Sequence, residues 1–145
     1  MRLFTIGFTK KSAAEFFETL LAADVSRVVD VRLNNVSQLA GFTKKHDLAY
    51  FLDKIGGIVY THATVLAPTQ DLLDTYKKRG GSWPEYERSF LQLISARRIE
   101  TSWAGDLRDG DCLLCSEAEP QHCHRRLVAE YLATRRHDLD VRHLG

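Results

Sequence analysis

Apolar positions along the chain change period repeatedly, and the changes mark out elements. "LFTIG" (3–7) is a short apolar run ended by glycine, the pattern of a buried strand. In "SAAEFFETLLAA" (12–23) the apolar residues Phe16, Phe17, Leu20 and Leu21 recur at helical spacing. Ser12, with Glu15 three residues later, supplies a capping box for that helix. "RVVDVR" (27–32) is β-branched and strand-like, and a polar loop, "LNNVSQLAGFTKK", follows it. "HDLAYFLDKI" (46–55) is amphipathic through Leu48, Phe51, Leu52 and Ile55, and Gly56-Gly57 ends it. "IVYTH" (58–62) is a third strand.

Thr69 caps a helix expected through about Arg79, where Gly80-Gly81 stops it. Ser82 and Glu85 form a second capping box ahead of Tyr86, Phe90, Leu93 and Ile94. "SWAGDLRDG" is expected as a loop, "DCLLC" (111–115) as a strand, "PQHCHRRLVAEYLATRR" (120–136) as a helix and "LDVRHL" (139–144) as a last strand. Five strands separated by helices predict a single α/β domain over 1–145, with a mainly parallel five-stranded sheet and helices packed on its faces. There is no internal repeat, low-complexity tract or linker.

Composition changes this picture little. The 145 residues, 44% hydrophobic and 27% charged, suit an ordinary globular domain. A net charge of +1 excludes a global basic field that would steer the whole molecule onto nucleic acid, so any anion affinity is local. The start, "MRLFTIGFTKKS", lacks the apolar run of a signal peptide, and no stretch reaches membrane-spanning length. Three cysteines within twelve positions, Cys112, Cys115 and Cys123, make a poor disulfide framework and fit a reducing compartment. A cytoplasmic location is expected.

The chemistry-bearing residues sort by the rule that open parallel sheets bind ligands beyond their strands' carboxyl ends. The first strand ends in Gly7-Phe8-Thr9, the second with Asp30 and Arg32, the third with His62, the fourth with Cys115-Ser116-Glu117. Cys123 then opens a helix, where free N–H groups stabilise a thiolate. Arg125 and Arg126 act in the same sense, and Glu117 and Glu119 oppose them. Cys112 is three residues from Cys115 along a strand, so the two point to opposite faces and do not form a redox pair. Phosphatase and rhodanese loops place about five residues between a cysteine and its helix, completed in the phosphatases by arginine. Here those positions are Gln121, counted from Cys115, and Ala129, counted from Cys123, and neither register works.

A metal site is a further option. Cys115, Cys123 and either His122 or His124 supply three ligands, with Glu117, His62 or water as the fourth. Against it, neighbours on a helix point about 100° apart, so Cys123 and His124 are not expected to share one ion. Asp30 and Arg32 share a strand face, either as an anion-binding arginine oriented by its neighbour or as a structural ion pair. Lys44 and Lys45, beside Phe42, form either an anion-binding loop or a solvated helix start. His137 and His143 carry no assignment.

Taken together, "TIGFT", "VVDVRLNNVSQLAGFTKKHDLAYFL", "YTHATVLAPT" and "CSEAEPQHCHRRLVAEYL" resemble the domain-of-unknown-function family numbered 488 over nearly the whole chain. The most specific part is C-x-E-x5-C-H-R, met by Cys115, Glu117, Cys123, His124 and Arg125. The start is met by Thr5, Ile6 and Gly7, with Phe8-Thr9 where many relatives place a hydroxyl residue directly after the glycine. D-V-R falls on Asp30, Val31 and Arg32, and Asn34-Asn35 stand where many members have proline. The resemblance implies a small α/β protein and no settled activity.

The expected function is therefore that of a small enzyme with an anionic substrate, a nucleotide or a nucleic-acid fragment. Cys115 or Cys123 is the nucleophile, Glu117 or His124 moves the proton, and Gly7, Thr9, Asp30, Arg32, Lys44, Lys45, His62 and Arg125 bind the anion. Two rivals stand beside it. One is a binding module in which Glu117 caps the helix and Arg125 pairs with Asp30 or Glu117. The other is a metal-dependent hydrolase. The sequence names no cofactor and no protein partner.

Overall fold

The computed structural model describes residues 1–35 and 41–145. Its five strands form one all-parallel sheet: β1 (Arg2–Gly7), β2 (Arg27–Asp30), β3 (Val59–His62), β4 (Asp111–Cys115) and β5 (Asp140–His143), in the order β3-β2-β4-β1-β5. Central strands of a parallel sheet are covered on both faces and are therefore apolar throughout rather than alternating. β2 and β4 are buried at every position, and β1 at all but Arg2.

The two faces have separate cores. Leu3, Val29, Leu113 and Cys115 pack under α4 (Trp83–Ala96), α5 (Ile99–Ser102) and α6 (His124–Arg135) through Phe90, Ile94, Leu127 and Leu132. Phe4, Ile6, Val28, Cys112 and Leu114 pack under α1 (Ala13–Ala22) and α2 (Lys45–Gly56) through Phe16, Leu20, Leu48 and Leu52. Cys112 and Cys115 thus lie on opposite faces, as their spacing predicts.

Chain direction divides along the same line. From β1 the chain passes through α1 to β2 and through α2 to β3, moving toward one edge. It then returns through α3 (Gln70–Lys77), α4 and α5 to β4, and through α6 to β5 at the other edge. Connections leaving β2 and β4 therefore diverge to opposite faces, and the gap beyond their carboxyl ends is the topological switch point at which such sheets bind ligands.

Local signals explain most boundaries. The Ser12–Glu15 capping box forms in both directions, and Thr69 Oγ1 accepts from the Leu72 N–H. At Ser82 the hydroxyl half of the expected box is present, accepting from the Glu85 N–H. α2 ends on Gly57, whose φ of 61° is the left-handed cap that glycine tolerates. The strand expected over 27–32 stops at Asp30, and the loop expected over "SWAGDLRDG" contains the end of the short α5. Residues 36–40 of the expected polar loop lie outside the described residues; 41–43 form a single 3₁₀ turn.

The difference that matters most is at α6. The helix expected from Pro120 begins at His124, and Cys123 is its N-cap with extended backbone (φ −135°, ψ 137°). The preceding segment is a turn closed by the Cys123 N–H donating to the Pro120 carbonyl. Cys123 is therefore not a helical neighbour of His124.

Candidate functional site

β4 ends at Cys115, and the chain must turn sharply to enter α6. The turn over 116–118 is pinned from below by Gly7, which pairs with Cys115 in the sheet. A Cβ on residue 7 would sit 1.6 Å from the Glu117 carbonyl oxygen, so only glycine lets the two backbones approach. Thr9 donates to the Ser116 carbonyl through both its N–H and its hydroxyl. Arg125, fully buried, donates to the Glu117 and Ala118 carbonyls and to Thr5 Oγ1. Gly7, Thr9 and Arg125 thus hold the turn. No carboxylate forms an ion pair with Arg125 among the described residues.

Above the turn lies a cleft of about 400 Å³ at the switch point. Arg32, Leu33 and Asn34 line it from the end of β2, and Cys115, Ser116, Glu117, Cys123 and His124 from the end of β4. Tyr76, Lys77, Trp83 and Tyr86 close its outer wall from α3 and α4. The volume is that of a small-molecule site.

On its floor Cys115, Cys123 and His124 bring one ligand-type atom each within 4.8 Å of the others, all three side chains being buried. His124 Nε2 lies 2.7 Å from the Val31 carbonyl, which only accepts, so Nε2 carries the proton. In the neutral ring Nδ1 is then the bare nitrogen, and it lies 3.6 Å from Cys115 Sγ. The Cys115 thiol is held below the ordinary value by a hydrogen bond from Cys123, against the cost of burial. The backbone N–H groups of Ser116 and Glu117 and the charge of Arg125 add to the effect. Cys123 goes the opposite way, pushed well up by burial and by donating to Cys115. The more acidic thiol of the pair is therefore the strand-end Cys115 rather than the helix-opening Cys123, because Cys115 accepts from Cys123 and the amides of the turn add to that effect. Cys112, buried on the other face, is pushed up by burial alone in the main.

At the end of β2, Asp30 and Arg32 form a bidentate pair with Nε–Oδ1 2.9 Å and Nη2–Oδ2 2.8 Å. Tyr60 donates to Asp30, and Arg32 Nη2 donates to the Thr43 carbonyl. Nη1 of Arg32, a residue only 4% exposed, has no hydrogen-bond partner among the described residues.

The chain belongs to the family described as Domain of unknown function DUF488. Its model matches residues 12–132, a span holding Asp30, Arg32 and the whole cluster from Cys115 to Arg125 but not Gly7 or Thr9. No curated protein and no solved structure matches the chain significantly.

Within this DUF488 chain the structure brings Arg32, Cys115, Glu117, Cys123 and His124 to one cleft and leaves other candidates outside it. Lys44 is the exposed N-cap of α2 and Lys45 its exposed first residue, and neither lines the cleft. His62 donates from Nε2 to the Arg32 carbonyl and supports the β2 end from behind. The Glu117 carboxylate is half exposed, 3.7 Å from Lys77, and does not cap α6. Of the two histidines weighed beside Cys123, His124 joins the cluster, while His122 is exposed and stacks on Trp83 at 5.0 Å. The objection that Cys123 and His124 diverge fails, because it applies inside a helix and Cys123 is outside it. Lys77, Tyr76 and Trp83 were not singled out from the sequence. Their arrival depends on how α3 and α4 fold back across the sheet edge, which no local motif encodes.

Proposed function

We propose that this protein is a small enzyme acting on an anionic substrate of nucleotide type, bound in the switch-point cleft, with Cys115, Cys123 and His124 as the reacting centre. One juxtaposition carries the reading: the cleft that has the acidic thiol on its floor is also lined by Arg32, whose buried Nη1 has no hydrogen-bond partner among the described residues. A buried donor without a partner costs about 1–3 kcal/mol, and a substrate oxygen removes that cost. Lys77 adds a second cation on the rim, and the side chains of Tyr76 and Trp83 supply an aromatic wall against which a base can lie. Arg125 holds the floor and supplies charge from below, without reaching the substrate.

Trp83 is half buried on the cleft wall and reports on occupancy. Its fluorescence, titrated with nucleoside monophosphates, nucleosides and inorganic phosphate, should respond saturably to the monophosphates and more weakly to either part alone. Turnover of the tightest-bound nucleotide should disappear in Cys115→Ala while binding persists. Saturable binding with no turnover in the wild type would leave the non-catalytic binding module as the better reading. No saturable response to any of the three would reject the cleft as an anion site.

A further inference from the structure

We propose that Cys115, Cys123 and His124 form a three-ligand site for a soft divalent cation, zinc being the best fit, with its fourth position open to the cleft. The open position is useful only if the cleft receives the substrate, so the inference rests on the reading above and names the cofactor of that site.

Four features of the geometry point to it. First, one thiol sulfur, a second thiol sulfur and one imidazole nitrogen lie within 4.8 Å of one another on three buried side chains. Second, the spacing fits: zinc bonds of about 2.3 Å to sulfur and 2.0–2.1 Å to nitrogen at a tetrahedral angle put the two ligand atoms about 3.6 Å apart. The Cys115 Sγ–His124 Nδ1 separation is 3.6 Å, and because Sγ also lies 3.9 Å from Nε2 the ring has to turn to aim Nδ1 at the ion. Third, His124 is tethered as metal-ligating histidines are, its Nε2–H donated to the Val31 carbonyl at 2.7 Å, which leaves Nδ1 as the nitrogen able to bind an ion. Fourth, all three residues line the cleft, and three protein ligands with an accessible fourth place is the arrangement of catalytic rather than structural zinc.

Ligand type narrows the ion. Two thiolates and an imidazole select zinc or another soft cation over magnesium or calcium, which take oxygen ligands. Charge is also consistent, since two thiolates neutralise a divalent ion and leave Arg125 facing no added positive charge. The fourth place can take water or an oxygen of the anionic substrate, within the same cleft as Arg32 and Lys77. Glu117, His62 and His122 are not part of the set.

The test is a cobalt titration of the full chain after chelation under reducing conditions. One cobalt per chain should bind, with the strong visible absorption of a tetrahedral site and sulfur-to-cobalt charge transfer. Cys123→Ser should cut the charge-transfer intensity to about half and weaken binding by at least about tenfold, the lower end for disturbed metal sites. His124→Ala should weaken binding similarly, and Cys112→Ala should change neither. Absence of the spectrum, or a spectrum that survives both Cys123→Ser and His124→Ala, overturns the site. Should these variants not fold, native mass spectrometry of the wild-type chain with zinc decides: a mass increase of one zinc supports the site and none rejects it. Repeating the Trp83 nucleotide titration on the chelated wild type separates the two readings. Nucleotide binding without metal binding rejects the cofactor and keeps the cleft, and metal binding without nucleotide binding does the reverse.

Discussion

Two arginine–aspartate pairs sit at opposite ends of β2, and they differ in what becomes of the third guanidinium nitrogen. At the amino end, Arg27 grips Asp111 with Nε–Oδ1 at 2.8 Å and Nη2–Oδ2 at 2.6 Å. Arg27 also donates to the Asp106 carbonyl, Asp111 accepts from the Arg108 N–H, and the Trp103 ring lies beside the guanidinium. At the carboxyl end Arg32 grips Asp30 in the same bidentate way, with Phe8 beside it. Neither Nη1 makes a hydrogen bond among the described residues, but that of Arg32 is fully buried while that of Arg27 is not. Alike in geometry and in hydrogen-bond number, the pairs differ in whether the spare nitrogen is sealed from solvent. The Arg27 pair ties β2 to β4, and the Arg32 pair belongs to a residue that lines the switch-point cleft.

Removing a partner from the Arg27 pair, which joins two strands, should have the largest effect on stability. Asp111→Ala leaves Arg27 charged and buried, and breaking a buried pair in this way costs about 3–5 kcal/mol. Urea denaturation should show that loss, while the folded fraction should bind nucleotide as the wild type does. A loss below about 1 kcal/mol would mean that Arg27 rehydrates easily, and the contrast between the two ends would collapse.

Gly7→Ala comes next and tests the support under the cleft. The added methyl overlaps the Glu117 carbonyl, so the 116–118 turn has to move. Such overpacking costs about 1–3 kcal/mol. It should also displace the amides that face Cys115, and turnover should fall by more than the stability loss alone explains. Unchanged denaturation and turnover together would show that the turn is free to shift.

Arg32→Lys separates the ends more finely. Lysine keeps the charge but loses the fork, so stability should drop by about 1–2 kcal/mol as one charged hydrogen bond to Asp30 is lost. Nucleotide affinity should fall by at least tenfold, about 1.4 kcal/mol. Equal affinity in wild type and variant would place the anion elsewhere on the rim.

The fold was legible because its signals are local and repeated. β-branched runs, two serine caps and the Gly56-Gly57 stop each specify an element without help from the rest of the chain. The strand-end rule points to Arg32, Cys115, Glu117, Cys123 and His124, and all five line one cleft. What it could not supply was the start of α6. A helix begun at Pro120 separates Cys123 from His124 by 100°, whereas one begun at His124 converges them, and the difference is one extended residue. Lys44 and Lys45 were drawn in by proximity in sequence to β2, but the sheet edge they follow is capped by α2 rather than by the cleft. Lys77 was missed for the opposite reason, being 38 residues before Cys115 in the chain and beside it only after α3 folds back.

Glu117→Gln should have the smallest effect, and it bears on the family-like C-x-E pattern directly. The residue's part in the structure belongs to its main-chain carbonyl, which accepts from Arg125, and glutamine keeps that carbonyl unchanged. Its carboxylate is half exposed and, among the described residues, pairs with Lys77 at 3.7 Å, an ion pair of the surface kind worth about 0–1 kcal/mol. Stability should therefore stay within about 0.5 kcal/mol of wild type. Nucleotide affinity should rise slightly, by about two- to fivefold at low salt, because one negative charge leaves the rim and Lys77 is released toward the anion. The gain should vanish in high salt. A drop in turnover of a hundredfold or more with affinity intact would instead make the carboxylate a proton carrier in the reaction, reaching into the cleft only when substrate is bound.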